Sequence, residues 1–200
     1  MLNAPLPRKR LVLLEVCPVL FPLQDVNKGF ESLVVFRRGG ERHMLGLCES
    51  NYCKTITGDD PPGLQRGNGR LVWATYRPAG RQEEEHCTWE VQKVIKLPED
   101  AYLLDYSAIS FRGDFGSDVA VVSQEDAAVW VGTFDWQEME FVRGEEDRPA
   151  GRIYHFPRTA DCSKQYCNVE GVSWIDAERL VLASDKCMDK DQAVHIMALP

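Results

Sequence analysis

Basic side chains are in short supply in this chain: 23 lysines and arginines face 31 acidic residues, a formal net charge of −8. That excess repels polyanions over roughly a Debye length, about 8 Å in physiological salt. It excludes non-specific attraction to nucleic acid or an anionic membrane and favours cations and cationic groups as partners. Histidine is scarcer still. His43, His86, His155 and His195 are the only four, none is paired with a nucleophile in a recognisable motif, and no Gly-x-Ser-x-Gly elbow exists to supply one. Asp114-Phe115-Gly116 lacks every companion of a kinase signature and reads as a hairpin turn, and Arg66-Gly67-Asn68-Gly69-Arg70 lacks the strand-to-helix setting of a phosphate loop.

Long apolar runs are missing too, and none reaches the ~20 residues of a membrane span. The segment RKRLVLLEVCPVLFPL has the basic flank and apolar core of a secretory signal. Glu15 and two prolines interrupt it and no small-residue cleavage site follows, so it reads as structure. Seven cysteines leave one thiol over under full oxidation, which favours reduced thiols and a cytoplasmic location, without excluding secretion. Cys48-ESNY-Cys53 and Cys162-SKQY-Cys167 share a spacing wider than that of four-cysteine zinc sites; they read as buried thiols, or as disulfides in a secreted chain. Helix signals are confined to one or two turns near Asp135 to Glu140.

Repetition is what the chain has in abundance. An apolar run ending in proline, a short connection, an acidic or polar cluster and a strand recur as VLFPLQDVNKGFESLVVF, VIKLPEDAYLLDYSAISF and IYHFPRTADCSKQYCNVEGVSW. Pro22 precedes Glu31 by the same distance as Pro98 precedes Ser107, and an insertion separates Pro157 from Glu170. Each copy continues through a turn into a second strand (RHMLGLCE, VAVVSQ, RLVLAS) and then a third (Gly69 to Tyr76, Ala127 to Phe134, Gln192 to Leu199). Fourth strands follow as TWEVQKVIKL and RIYHF. β-Branched and aromatic residues bounded by Gly, Asp and Ser fit strands and hairpins, and their near-continuous apolarity fits burial on both faces. Four sequential antiparallel strands per repeat describe a propeller blade.

The expected fold is therefore all-β and propeller-like, with about three four-stranded blades: a partial propeller, or half of a six-bladed ring. Residues 1–23 supply an outer closing strand, followed by blades over 24–98, 99–157 and 158–200. Leu11 to Leu20 is expected beside Gln192 to Leu199, either within one chain or between two chains of a homodimer; otherwise the absent blades lie in a longer parent protein. Trp73, Trp130 and Trp174 fall inside strands and are assigned, with Trp89 and Trp136, to packing between blades.

The phrases NKGFESLVVF, LGLCESN, NVEGVSW and RLVLASDK resemble the recurring blade phrases of the phytase-like and esterase-like β-propeller superfamily. The resemblance covers most of the chain from about Val19 onward. It implies a fold related to six-bladed enzymes and binding proteins, some of them calcium-dependent. Glu31 and Glu170 match the glutamate of the superfamily's EG phrase and Asp185 the aspartate of its SD phrase. The second copy departs with Ser107, the first with Ser32 in place of glycine, and Glu49 and Glu125 replace the aspartate.

Strand polarity turns the repeat into a site. Inner strands start, and second strands end, at the same face of the disc, so Glu31, Glu49, Glu125, Asp126, Glu170 and Asp185 are expected at one mouth of a central channel. Clustered carboxylates need a cation or a shared proton, and oxygen-ligated Ca²⁺ or Mg²⁺ is the expected cofactor. Lys28 and Lys186 flank these positions as ligand-binding groups for an anionic substrate. The competing reading makes the carboxylates backbone caps and the lysines their counter-ions. Three functions follow: a module binding a cation-linked ligand or partner at the acidic mouth, a metal-dependent phosphoesterase or esterase, and a protein-interaction scaffold.

Overall fold

A computed structural model describes residues 12–23, 29–48, 53, 66–80, 86–144, 149–166, 168–185 and 192–200. The strands are β1 (Val19–Leu20), β2 (Phe30–Arg38), β3 (Glu41–Cys48), β4 (Arg70–Arg77), β5 (Thr88–Lys96), β6 (Ala108–Phe111), β7 (Asp118–Ser123), β8 (Ala128–Asp135), β9 (Glu140–Phe141), β10 (Gly151–His155), β11 (Val169–Trp174), β12 (Arg179–Ser184) and β13 (Ala193–Ala198). They form three sheets: β1-β5-β4-β3-β2, β10-β8-β7-β6 with β9 hairpinned onto β8, and β11-β12-β13. The chain is all-β, and no helix occurs among the described residues. Apart from β1, every pairing is antiparallel.

The sheets follow one another in space as they do in sequence. The first strands are neighbours, β2 beside β6 and β6 beside β11, and polar side chains stitch them together. Ser32 Oγ reaches the Ile109 carbonyl at 3.4 Å and the Trp174 indole N–H donates to the Ser110 carbonyl at 3.1 Å. Period-two alternation in β7 divides its side chains between two cores. Val119 and Val121 join Leu45, Leu47, Leu71 and Trp130 between the first and second sheets. Ala120 and Val122 join Leu180, Leu182 and Val169 between the second and third. Trp130 is wholly buried, its indole N–H donating to Asp100 at 3.2 Å. Gly151 leaves room for that ring, since a Cβ there would stand 2.4 Å from the Val131 carbonyl oxygen and 2.5 Å from the indole.

Three expectations change. The helical turn near Asp135 to Glu140 is a β-turn linking β8 to β9. The Asp135 carboxylate accepts the Gln137 and Glu138 N–H groups at 2.7 and 3.2 Å, as an N-cap would, but Met139 at φ 53° reverses the chain before a second turn forms. The described part of the amino-terminal segment, residues 12–23, does not pair with β13 within the chain. Val19 and Leu20 pair in parallel with Trp89 and Glu90 on the outer edge of the first sheet. A disulfide between Cys17 and Cys87 and the Trp89 N–H to Pro18 carbonyl bond (2.8 Å) hold the segment there. The thiols differ as well, because Cys17–Cys87 and Cys48–Cys53 are bridged with Cα separations of 4.9 and 5.8 Å, inside the range a disulfide spans. Cys162 is free and exposed, and its expected partner position, Cys167, lies outside the described residues.

Trp130→Ala should lower unfolding free energy by about 3–5 kcal/mol, since it empties a buried site on which several strands rest. Gly151→Ala should cost about 1–3 kcal/mol, because its close neighbours include backbone that cannot swing aside. Urea unfolding of the two variants checks both values.

Candidate functional site

The repeated glutamate has a backbone cause. In the first sheet Phe30 pairs with Cys48 and Ser32 with Leu47; in the third, Val169 pairs with Ser184 and Gly171 with Ala183. Glu31 and Glu170 are the extra residues of two equivalent β-bulges, each at the start of its sheet's first strand. A bulge re-aims the side chain it carries, and both glutamates are exposed. In the second sheet the residue at this position, Ser107, lies just before β6, and its N–H donates to the Val122 carbonyl at 2.9 Å. It stands in place of glutamate, and its hydroxyl lies 3.2 Å from the Val122 carbonyl and 3.0 Å from the Val169 carbonyl, tying β6 to β11.

Glu125 and Asp126 occupy the turn between β7 and β8, and this turn is a junction of all three repeats. The Asp126 carboxylate accepts the Leu104 N–H at 2.7 Å, and Arg66 Nη1 stands 2.8 and 2.9 Å from its two oxygens. Lys164, in the insertion of the third repeat, reaches Glu125 at 3.5 Å and the Gln124 carbonyl at 3.3 Å. Arg158 donates to the Asp126 carbonyl at 3.4 Å and to that of Cys162 at 3.2 Å. Asp185 continues the third sheet's edge: its N–H donates to the Asn168 carbonyl at 2.9 Å and its carboxylate accepts Gln192 Nε2 at 2.8 Å. Carboxylates supplied with cations and N–H donors of their own chain do the work of caps and clamps.

Sequence reasoning missed the residue beneath this turn. Asp105 is buried and accepts the Ser123 hydroxyl and the Glu125 N–H, the latter at 3.0 Å. Burial pushes its carboxyl above the ordinary 3.8, with Glu125 and Asp126 adding to the rise, while the bonds from Ser123 and Glu125 oppose it. Tyr106, next in sequence, is pushed up to about 12 by its own burial, and its hydroxyl donates to the Ala101 carbonyl at 2.9 Å. The signal was present in the sequence as a lone acid set among Leu103, Leu104 and Tyr106, a pattern that points to an interior carboxyl rather than a rim one.

Among the described residues, no three of Glu31, Glu125, Asp126, Glu170 and Asp185 bring their oxygens within 4.8 Å of one another. The trio that does is Glu15, Cys17 and Cys87, whose two sulfurs are bonded to each other. Lys28, Glu49 and Lys186 lie outside the described residues.

The raised Asp105 pKa means that the folded chain holds this proton more tightly than the unfolded chain does. Its contribution to stability is full below pH 3.8 and declines as pH rises through the higher folded value. Asp105→Asn keeps an acceptor and cannot ionise, so at pH 7 it should be as stable as the parent or more so. Asp105→Ala removes the acceptor of the buried Ser123 hydroxyl and of the Glu125 N–H and should cost about 1–3 kcal/mol. Equal losses in the two variants at pH 7 would show that the charge itself is needed. At the turn, Asp126→Ala should also cost about 1–3 kcal/mol because the Leu104 N–H loses its acceptor, whereas Arg66→Ala, which removes an exposed partner, should cost less than about 1 kcal/mol. Denaturant titrations at pH 4 and pH 7 separate these cases.

No protein-family model, curated protein or solved structure matches this chain, so its own residues carry the functional reading.

Proposed function

We propose that this chain is a protein-interaction scaffold of the β-propeller type, its three sheets forming three blades of a ring. The observation that carries this is the outer face of the third sheet. One face of that sheet packs on the second sheet through Val172, Trp174, Leu180, Leu182 and Met197. Val194 and Ile196 on the opposite face are 70% and 69% exposed, directly across from Ala183 and Val181. A blade is covered on both faces by its neighbours, and an apolar outer face of this kind suits a further sheet, supplied by a second copy of the chain. The two disulfides support an oxidising compartment over the cytosol.

Binding of a cation-linked ligand is the second reading, favoured by the equivalent bulges that aim Glu31 and Glu170. Calcium suits the described carboxylates poorly, because Arg66 and Lys164 already answer Asp126 and Glu125 and no three of the expected ligands among the described residues share reach of one ion. The phosphoesterase or esterase reading depends on that same ion.

Sedimentation of the purified chain should show a dimer, and the double variant Val194→Asp, Ile196→Asp should sediment as a monomer with unchanged circular dichroism. Calcium should leave Tm unmoved. A calcium-dependent rise in Tm that disappears in Glu170→Gln and Asp185→Asn, or ester turnover that depends on those residues, would overturn the scaffold reading.

A further inference from the structure

A groove of about 520 Å³ opens between β2 and β6, each the terminal strand of its sheet. Its walls include Val34, Phe36, Phe111, Phe115 and Trp136, with Arg37 at the rim. Phe115 is the unusual member. It is a bulky residue at φ 61°, in the left-handed region that such side chains avoid, and the residue is 50% exposed. Edge-on contacts with Phe36 (5.9 Å) and Trp136 (5.2 Å) hold its ring. The Trp136 indole N–H donates to the Gly116 carbonyl at 3.0 Å, and Gly116 itself has no room for a Cβ, which would lie 1.7 Å from the Arg112 carbonyl oxygen. The turn thus holds an aromatic ring out at the mouth of the groove against its conformational preference.

The groove's charge runs opposite to that of the whole chain. Arg37 and Arg42 line it against a single acid, Asp114, in a protein of net charge −8. Arg42 stacks over the Tyr76 ring at 4.7 Å, while Arg37 makes no hydrogen bond or ion pair among the described residues. The surrounding charges are committed: Arg38 to the Trp136 and Gln137 carbonyls at 3.1 and 3.0 Å, Arg112 to Asp118, and Glu41 to Arg77 at 2.8 Å. β2 itself is a nine-residue edge strand with Leu33 and Val35 56% and 62% exposed. Long apolar edges of this kind are ordinarily blunted or covered.

We propose that this groove docks an extended, acidic peptide segment of a partner protein by strand addition along β2. Side chains alternate across a strand, so Val34 and Phe36 lie on one face of β2 and Val35 and Arg37 on the other. A peptide added there places its apolar residues on Phe36, Phe115 and Trp136 and its intervening acidic residues toward Arg37, away from Asp114. Main-chain bonds to the β2 edge supply affinity, the aromatic wall and Arg37 supply selectivity. This inference rests on the scaffold reading and names a partner chemistry for it.

The test is fluorescence anisotropy on the full chain with a labelled peptide alternating leucine and aspartate. Its counterpart alternating leucine and lysine, and a backbone N-methylated version, serve as controls. The aspartate peptide should bind about tenfold or more tightly than the lysine peptide, and N-methylation should abolish binding. Arg37→Glu should reverse the preference. Phe115→Gly, which relieves the backbone and removes the ring, should weaken binding about tenfold while holding or raising Tm, so loss of fold cannot account for the result. Equal affinity for the two charge patterns, an unchanged affinity in Arg37→Glu, binding that survives N-methylation, or no binding of the aspartate peptide at millimolar concentration would each overturn the proposal. If it falls while the Val194 and Ile196 variants still dissociate the dimer, the scaffold reading stands without this groove.

Discussion

Burial of the middle sheet on both of its faces is the constraint on which the rest of the structure depends. An antiparallel sheet with one wet face alternates apolar and polar residues. β7 instead carries four consecutive buried aliphatic residues from Val119 to Val122, so each of its faces must find a cover. The first sheet meets Val119 and Val121 on one side and the third meets Ala120 and Val122 on the other. The order of sheets in space follows from this. A chain whose central repeat has two apolar faces cannot leave its flanking repeats apart without exposing one of them.

Where the sheets meet, polar groups decide how the connections sit. The turn after β7 gathers Arg66 from ahead of β4, Leu104 and Asp105 from the link to β6, and Arg158 and Lys164 from the link to β11. Backbone donors in such a crossing have no ladder partner, and a side-chain acceptor is needed if they are to leave water. Asp126 serves Leu104 and Asp105 serves Glu125. The acidic character of the repeat is, at this point, a consequence of its topology.

The terminal strands show the opposite economy. β13 alternates half-buried and exposed residues along its whole length, and β2 does so along most of its own, yet several of their exposed residues are valine, leucine or isoleucine rather than charged. Only the interior of the array is self-sufficient in apolar contact. The amino-terminal segment shows the same imbalance: Val12, Leu13, Leu14 and Val16 are exposed although Cys17 is bridged to Cys87.

The strand order was legible in residue types and turn chemistry, because hairpins are local: Gly39 and Gly40, both at positive φ, reverse the chain between β2 and β3 as two-residue hairpins require. The equal spacing of Glu31 and Ser107 from their prolines marked equivalent places in two sheets. It could not tell that one side chain is exposed and the other ties to β11, since each outcome depends on the neighbouring strands. The carboxylates of the turn after β7 were visible in the sequence, but their partners came from elsewhere: Arg66 is 60 residues and Leu104 22 residues from Asp126. The amino-terminal pairing and the Cys17–Cys87 bridge, 70 residues apart, were equally hidden. Composition and periodicity thus determined an all-β chain of three hairpin-built repeats. Tertiary structure alone decided which charges meet, which cysteines join and which apolar edges stay exposed, because each of these depends on distances between residues far apart in the chain.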